Sequence, residues 1–474
     1  MKNNKLKRLQ AVLACAAVCS LGAAASNAAA TIVINNINAA GVGFNDPTPA
    51  APVGGNSGTT LGQQRLIAFA AAANQWGATI TSSVPITINA QFTPLTCTAT
   101  GAVLGSAGAT TIHRDFTNAP RAATWYSQAL ANKLFGADLA TANADINANF
   151  NSNLGQPGCL TGTFFYLGLD NNHGASIDFY TVLLHEMGHG LGFQTFTNGT
   201  TGNYQSGFPS IWDHFLVDNT TGLSWVNSTA AQRAASAIGI NHLIWTGTSV
   251  TANASVVLRG TPRLIVGGVA AGGAAGAYAL GPASFGAPLT NTGVSGDIMP
   301  VTGGNGEACA PLSALDTLAV KGNVALVVRG TCGFVVKVLN AQNAGAIGVI
   351  VQDNVAGSPP PGLGGTDPAI TIPSGRVTLA DGNIIRTALA RRSRTKSGVT
   401  GTLGLNAAQL AGADSLGRLL MYTPNPFQGG SSVSHYDVSA NPNLLMEPAI
   451  NGDLTHSNVL PQDLTYSLLL DIGW

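Results

Sequence analysis

The sequence predicts a mixed α/β (α+β) protein, a mixed twisted sheet plus a candidate active-site helix, with a smaller α/β module inserted in the chain. Three observations lead there. Alternating or branched apolar runs at 31–37, 85–92 and 163–169 have strand character. Between them lie segments with helical spacing, above all 61–76, where Leu66, Phe69, Ala70, Ala73 and Trp76 recur three and four residues apart. From 249 onward Gly, Ala and Val dominate, His disappears until His435, and a strand, helix, strand series (324–329, 334–344, 346–351) predicts a parallel pair joined by a crossover.

The first thirty residues stand apart from the fold. Lys2, Lys5, Lys7 and Arg8 precede an apolar stretch at 9–21 and small residues at 28–30, the pattern of a secretory signal peptide cleaved near residue 30. Taking those four positive charges from 21 basic residues leaves 17 against 21 acidic ones, a mildly acidic secreted chain. The length, 474 residues, allows two or three domains at about 150 residues each. With 9% charged residues and no basic stripe, nucleic acid is excluded as a partner. No later stretch reaches the ~18 apolar residues that a permanent membrane anchor needs.

The remaining elements follow in order. A Gly/Pro-rich loop covers 41–58, a short helix is expected at 124–135, and the turn cluster 170–174 leads into a helix that begins near Ser176. After the interrupting module, 418–422 is expected to return as a strand and 464–472 to close the fold as a helix. Cys15 and Cys19 leave with the signal. The even set Cys97, Cys159, Cys309 and Cys332, bound for an oxidising compartment, favours disulfides. Three pairings are open to four cysteines, and this organisation suggests Cys97–Cys159 and Cys309–Cys332.

The helix after Ser176 contains His185-Glu186-Met187-Gly188-His189. Residues four apart share one helix face, so both imidazoles can converge on one ion. Zinc accepts neutral imidazole nitrogen, and a catalytic zinc keeps one position for water. Glu186 beside the first ligand is placed as the general base for that water. At this composition, chance would produce the pattern roughly 0.0008 times, so accident does not explain it.

Two histidines and a water leave room for a third protein ligand. Beyond Glu186 the chain holds only Glu307 and Glu447, which disfavours the zinc peptidases that recruit a Glu from the next helix. Gly192, three residues past His189, marks the metzincin exit from the helix, yet Thr195 stands where the common form has its third His. Far downstream, His435 is followed by Met446 in a stretch ending at Pro448. Asp213 and His214 are the rival ligands. Together, the helix motif, the distant His and the Met-turn resemble the leishmanolysin-like metzincin metallopeptidases over about 31–247 and 403–474. The resemblance implies an extracellular zinc endopeptidase of metzincin-like fold acting on proteins or peptides. One catalytic Zn²⁺ would be held by His185, His189 and His435, with Glu186 as base and Met446 in the turn beneath.

The intervening module resembles a protease-associated domain on the runs Cys309-Ala310-Pro311-Leu312, 324–334, 340–350 and Ile370-Thr371-Ile372-Pro373. The expected organisation is thus a signal peptide (1–30), a first catalytic part (31–248), the inserted protease-associated domain (249–401) and a second catalytic part (402–474). A secreted zinc-containing binding protein, its inserted module capturing partners, is the competing expectation, and a fourth protein ligand on the metal would favour it. Smaller candidates are 163–169 as an edge strand for extended substrate and Tyr436 as an oxyanion donor. His113, His173, His242 and His456 are expected to be surface or capping residues.

Overall fold

The computed structural model of the chain describes residues 29–474, so the signal segment with Cys15 and Cys19 lies outside the described residues. The first unit opens with strand β1 (Ile32–Asn36), helix α1 (Leu61–Thr79), strands β2 (Ile86–Thr93) and β3 (Gly105–Ala109), helix α2 (Gln128–Phe135) and strand β4 (Ile146–Asn151). The strands form one sheet in the order β1-β2-β4-β3, parallel except for β3, which runs antiparallel to β4 at the edge. On β2 the side chains alternate between buried and half-buried, as the period of two in its sequence requires. Ile86, Ile88, Ala90 and Phe92 face the helices and disappear from solvent.

Against that face pack α1 and the helix α3 (Phe179–Leu191). Helix α1 starts at Thr60, whose side chain accepts a hydrogen bond from the Gln63 amide, and buries Ala68, Phe69, Ala72, Ala73 and Trp76. Trp76 is wholly buried and donates its indole N–H to the Leu184 carbonyl at 3.1 Å, tying α1 to α3. Trp76→Ala is therefore expected to cost about 3–5 kcal/mol of stability. Chemical denaturation of the purified chain reads that loss directly.

The middle of the chain forms a second sheet. Its elements are helix α4 (Thr248–Val257), strands β5 (Gly260–Gly267), β6 (Val294–Pro300) and β7 (Val324–Val328), helix α5 (Phe334–Asn343), and strands β8 (Gly348–Gln352), β9 (Ser374–Val377) and β10 (Thr400–Leu410). The strand order is β5-β10-β6-β7-β8-β9, with the short strand 276–279 outside β5 and 281–282 outside β9. Strands β7 and β8 pair in parallel across α5. Entry and exit lie side by side, because Gly260 of β5 pairs with Leu410 of β10. This unit has its own apolar clusters, whereas Val250, Ala254 and Val257 of α4 join the first unit's core. The composition shift at 249 thus precedes the change of core by about one helix, since α4 packs on the closing helix α6 (Thr465–Ile472).

Three expected elements differ. In 124–135 the first residues are extended, because Tyr126 and Ser127 pair with His113 and Ile112 before α2 begins. In 163–169 only Phe165–Tyr166 is a strand, because its partner Ile177–Asp178, just before α3, offers two residues to pair with. Around 418–422 there are isolated bridges from Leu419, Leu420 and Met421 to three different segments, since no long partner strand lies alongside. Among the described residues the disulfides are Cys97–Cys159 and Cys309–Cys332, with Cα–Cα distances of 5.0 and 5.7 Å.

Candidate metal centre

Helix α3 is capped by Asp178, which accepts the Thr181 amide at 3.2 Å, and all thirteen of its residues are buried. It ends at Gly192 with φ +119°, a left-handed conformation that frees the chain to turn back beneath His189. His185 and His189 face the same side, one turn apart, and the chain returns after the inserted unit to bring His435 against them. Their Nε2 atoms lie 3.1, 3.1 and 3.3 Å from one another. Nitrogens bound at about 2.0–2.1 Å around one tetrahedral ion stand about 3.3–3.4 Å apart, so this triangle has the size of a zinc site.

The other ring nitrogens decide what the triangle can hold. His185 Nδ1 lies 2.7 Å from the Leu445 carbonyl, His189 Nδ1 2.8 Å from the Phe193 carbonyl and His435 Nδ1 2.8 Å from the Ser431 carbonyl. Carbonyl oxygens only accept, so each Nδ1 carries the proton and each Nε2 presents a lone pair. Three lone pairs meeting at one point satisfy no hydrogen bond among themselves; a cation does satisfy them. Burial also pushes the imidazoles toward the neutral form, His185 to about 4, His189 to about 3 and His435 well below its usual range. The donor set therefore fits a zinc ion. Among the described residues the cluster comprises these three side chains, without a fourth protein ligand.

Glu186 is buried beside the triad. Burial raises its carboxyl to about 8, opposed by a hydrogen bond from the Ala107 N–H. It fits there because edge strand β3 presents Gly105: a Cβ at that position would stand 2.8 Å from Glu186 Oε1. Gly105→Ala is expected to keep the metal while displacing the carboxylate, lowering kcat by up to about 10²-fold. Metal content measured alongside turnover separates the two effects. Below the helix, Met446 is fully buried, with its sulfur 2.8 Å from where a Cβ on Gly188 would stand. The Met446 turn is held from outside: Asp463 accepts the Leu445 amide at 2.7 Å, and Tyr436 donates its amide to the Met446 carbonyl at 2.9 Å.

A cleft of about 820 Å³ runs past the triad between β3 on one side and the segments 427–434 and 447–450 on the other. A second cleft of about 920 Å³ lies between the two units, lined by Arg259, Leu289, Leu405 and Asp453, and contains none of the triad.

The rival ligands are engaged elsewhere. Asp213 accepts from the Thr195 and Thr197 hydroxyls, both at 2.6 Å, and from the Ser210 amide at 2.7 Å, bracing the chain that leaves α3. His214 faces the Thr124 hydroxyl at 3.1 Å. Tyr436 is no oxyanion donor: its ring is fully buried, edge-on to Phe193 at 5.0 Å and outside the cleft. His113, His173 and His242 contact Thr111, the Ser176 carbonyl and Asn219. His456 is half-buried, stacked on Tyr180 and 2.6 Å from the helix cap Asp178. The edge strand at the cleft is β3 rather than 163–169. Its Gly-Ser-Ala-Gly-Ala sequence has no apolar alternation; the only sequence signal is small residues where another backbone or side chain approaches closely.

Residues 288–385 match the family model described as the PA domain. The inserted unit contains a PA domain. It accounts for the parallel β7-β8-β9 part of the second sheet, and the match lies inside the expected boundaries of 249–401. No curated protein sequence matches the chain. Among solved structures, the chain is similar to a zinc aminopeptidase from Bacillus subtilis at 23% identity and a TM-score of 0.22, covering 34% of this chain and 37% of that one. An aminopeptidase from Aneurinibacillus sp. strain AM-1 matches at 18% identity and a TM-score of 0.22, covering 42% of each chain. A psychrophilic subtilisin-like protease from the Antarctic psychrotroph Pseudoalteromonas sp. AS-11 matches at 20% identity and a TM-score of 0.24, covering 32% of this chain and 34% of that one. The chain thus spans less than half the length of each of these structures. Among the described residues no helix is long and apolar enough to cross a membrane.

Proposed function

We propose that the protein is a secreted, zinc-dependent endopeptidase of the leishmanolysin-like metzincin type. In this organisation a PA-containing insertion, about 260–410, separates the helix that supplies two ligands from the segment that supplies the third. The observation that carries the proposal is the convergence of three Nε2 lone pairs, each backed by an Nδ1 proton spent on a carbonyl, beside a buried carboxyl in an open cleft. A zinc ion bound there would act as a Lewis acid and make a bound water acidic enough to ionise near neutrality.

The chain's own groups supply the rest. Glu186, buried beside the triad, would take the water proton and deliver it to the leaving amine. The leading edge of β3 is open to an extended peptide, whose main chain would pair with it as an added strand. The absence of a fourth protein ligand among the described residues favours this function over a closed structural zinc site.

Metal analysis of the purified protein paired with casein digestion tests the proposal. One zinc per chain, with proteolysis lost to a chelator and restored by added zinc, is the expected result. A protein that binds zinc but cleaves neither casein nor peptides would refute it.

A further inference from the structure

Resting on the peptidase function proposed above, we infer that Gln194 is a specificity-determining residue whose carboxamide hydrogen-bonds an extended peptide two or three residues away from the bond that is cut. Its backbone is immobilised by its surroundings. Gly192 turns the chain, the Gln194 amide donates to the Gly192 carbonyl at 2.8 Å, and the next residue is pinned from both sides. There the Thr195 amide donates to Ser434 Oγ at 3.2 Å, and the Thr195 hydroxyl donates to Asp213 at 2.6 Å. Against this rigid frame the Gln194 side chain lines the cleft, and its carboxamide makes no hydrogen bond to any described residue. It is the cleft's one carboxamide among the described lining residues, so it offers two donors and an acceptor to whatever occupies the groove.

The edge strand sets the distance. Gly105 of β3 lies against Glu186 Oε1, and a Cβ on Gly108 would stand 3.5 Å from Gln194 Oε1. Three residues of strand separate these points, on the order of 10 Å at ~3.4 Å per residue. A peptide lying alongside β3 with its scissile carbonyl near Glu186 carries a residue about that far along to the carboxamide. A buried or cleft-lining amide left without its partner loses a hydrogen bond, so peptides that reach Gln194 gain over those that stop short.

The test compares wild type with Gln194→Met, which keeps the volume and removes the hydrogen-bonding groups, on fluorogenic peptides shortened one residue at a time from either end. Zinc content is measured for both. The expected result is unchanged zinc and a fall in kcat/KM of about fivefold to tenfold on long peptides, carried by KM. That fall should vanish once residues are trimmed from one end only, beyond the second position from the cleaved bond. Equal losses on long and short peptides, or no loss on either, overturn the role of Gln194 while leaving the peptidase proposal standing. A wild type that cleaves no peptide of the series overturns the peptidase proposal itself, and the Gln194 assignment with it.

Discussion

Replacing His435 with alanine is expected to leave the purified protein without zinc and to abolish proteolysis. The substitution takes away one of three lone pairs that converge within 3.3 Å, and the two survivors on α3 cannot close a tetrahedral site alone. Losing the metal removes several kcal/mol of transition-state stabilisation, on the order of 10³-fold or more in rate. Asp213→Asn is the control, because Asp213 braces the chain after α3 through Thr195, Thr197 and Ser210 without reaching the triad. It should keep full zinc occupancy. Zinc and activity retained in His435→Ala would dismantle the proposed centre, however well the helix pair survives.

The second large effect is expected at Glu186. Gln is nearly isosteric and its side-chain oxygen can still accept the Ala107 N–H, so Glu186→Gln should fold normally and bind one zinc per chain. It cannot take a proton from water. The loss of a positioned general base costs about 10²–10⁴-fold in kcat, with KM little changed. Turnover within a few-fold of wild type would assign the proton transfer to another group, and the buried carboxyl would then be a packing feature beside β3. The contrast between the two variants carries most of the information: His435→Ala loses metal and rate together, Glu186→Gln loses rate alone.

The most legible part of this protein was the helix with the candidate ligand pair His185 and His189. Spacing of four residues, a Glu beside the first His and a Gly after the second are local constraints, and each appears in α3 as buried, capped structure. His435 and Met446 were legible for a different reason, as a pair of scarce residue types in a family-like arrangement after a compositionally distinct insertion. The crossover pair at 324–328 and 348–352 was legible because strands buried on both faces form continuous branched apolar runs.

The edge strand Gly105–Ala109 was not legible, because its extended form comes from pairing with Ile146–Asn151 and not from any pattern of its own. Helix α4 was assigned to the insertion by composition, yet its apolar side chains found their partners on α6. Tyr436, next in sequence to His435, packs its ring on Phe193.

Sequence by itself singled out His185, Glu186 and His189 as candidates for metal chemistry, since ligand type and helical spacing are written within a few residues. Composition also set the interrupting module apart, and the PA match at 288–385 falls inside it. Only the tertiary structure decided that those side chains form a site. His185 presents its lone pair inward because the Leu445 carbonyl, 260 residues away, lies opposite its other nitrogen, and Glu186 has room because an edge strand arrives there with a glycine. Both depend on which distant backbone ends up within about 3 Å of a given atom, a relation that packing of the whole chain establishes and no local run of residues encodes.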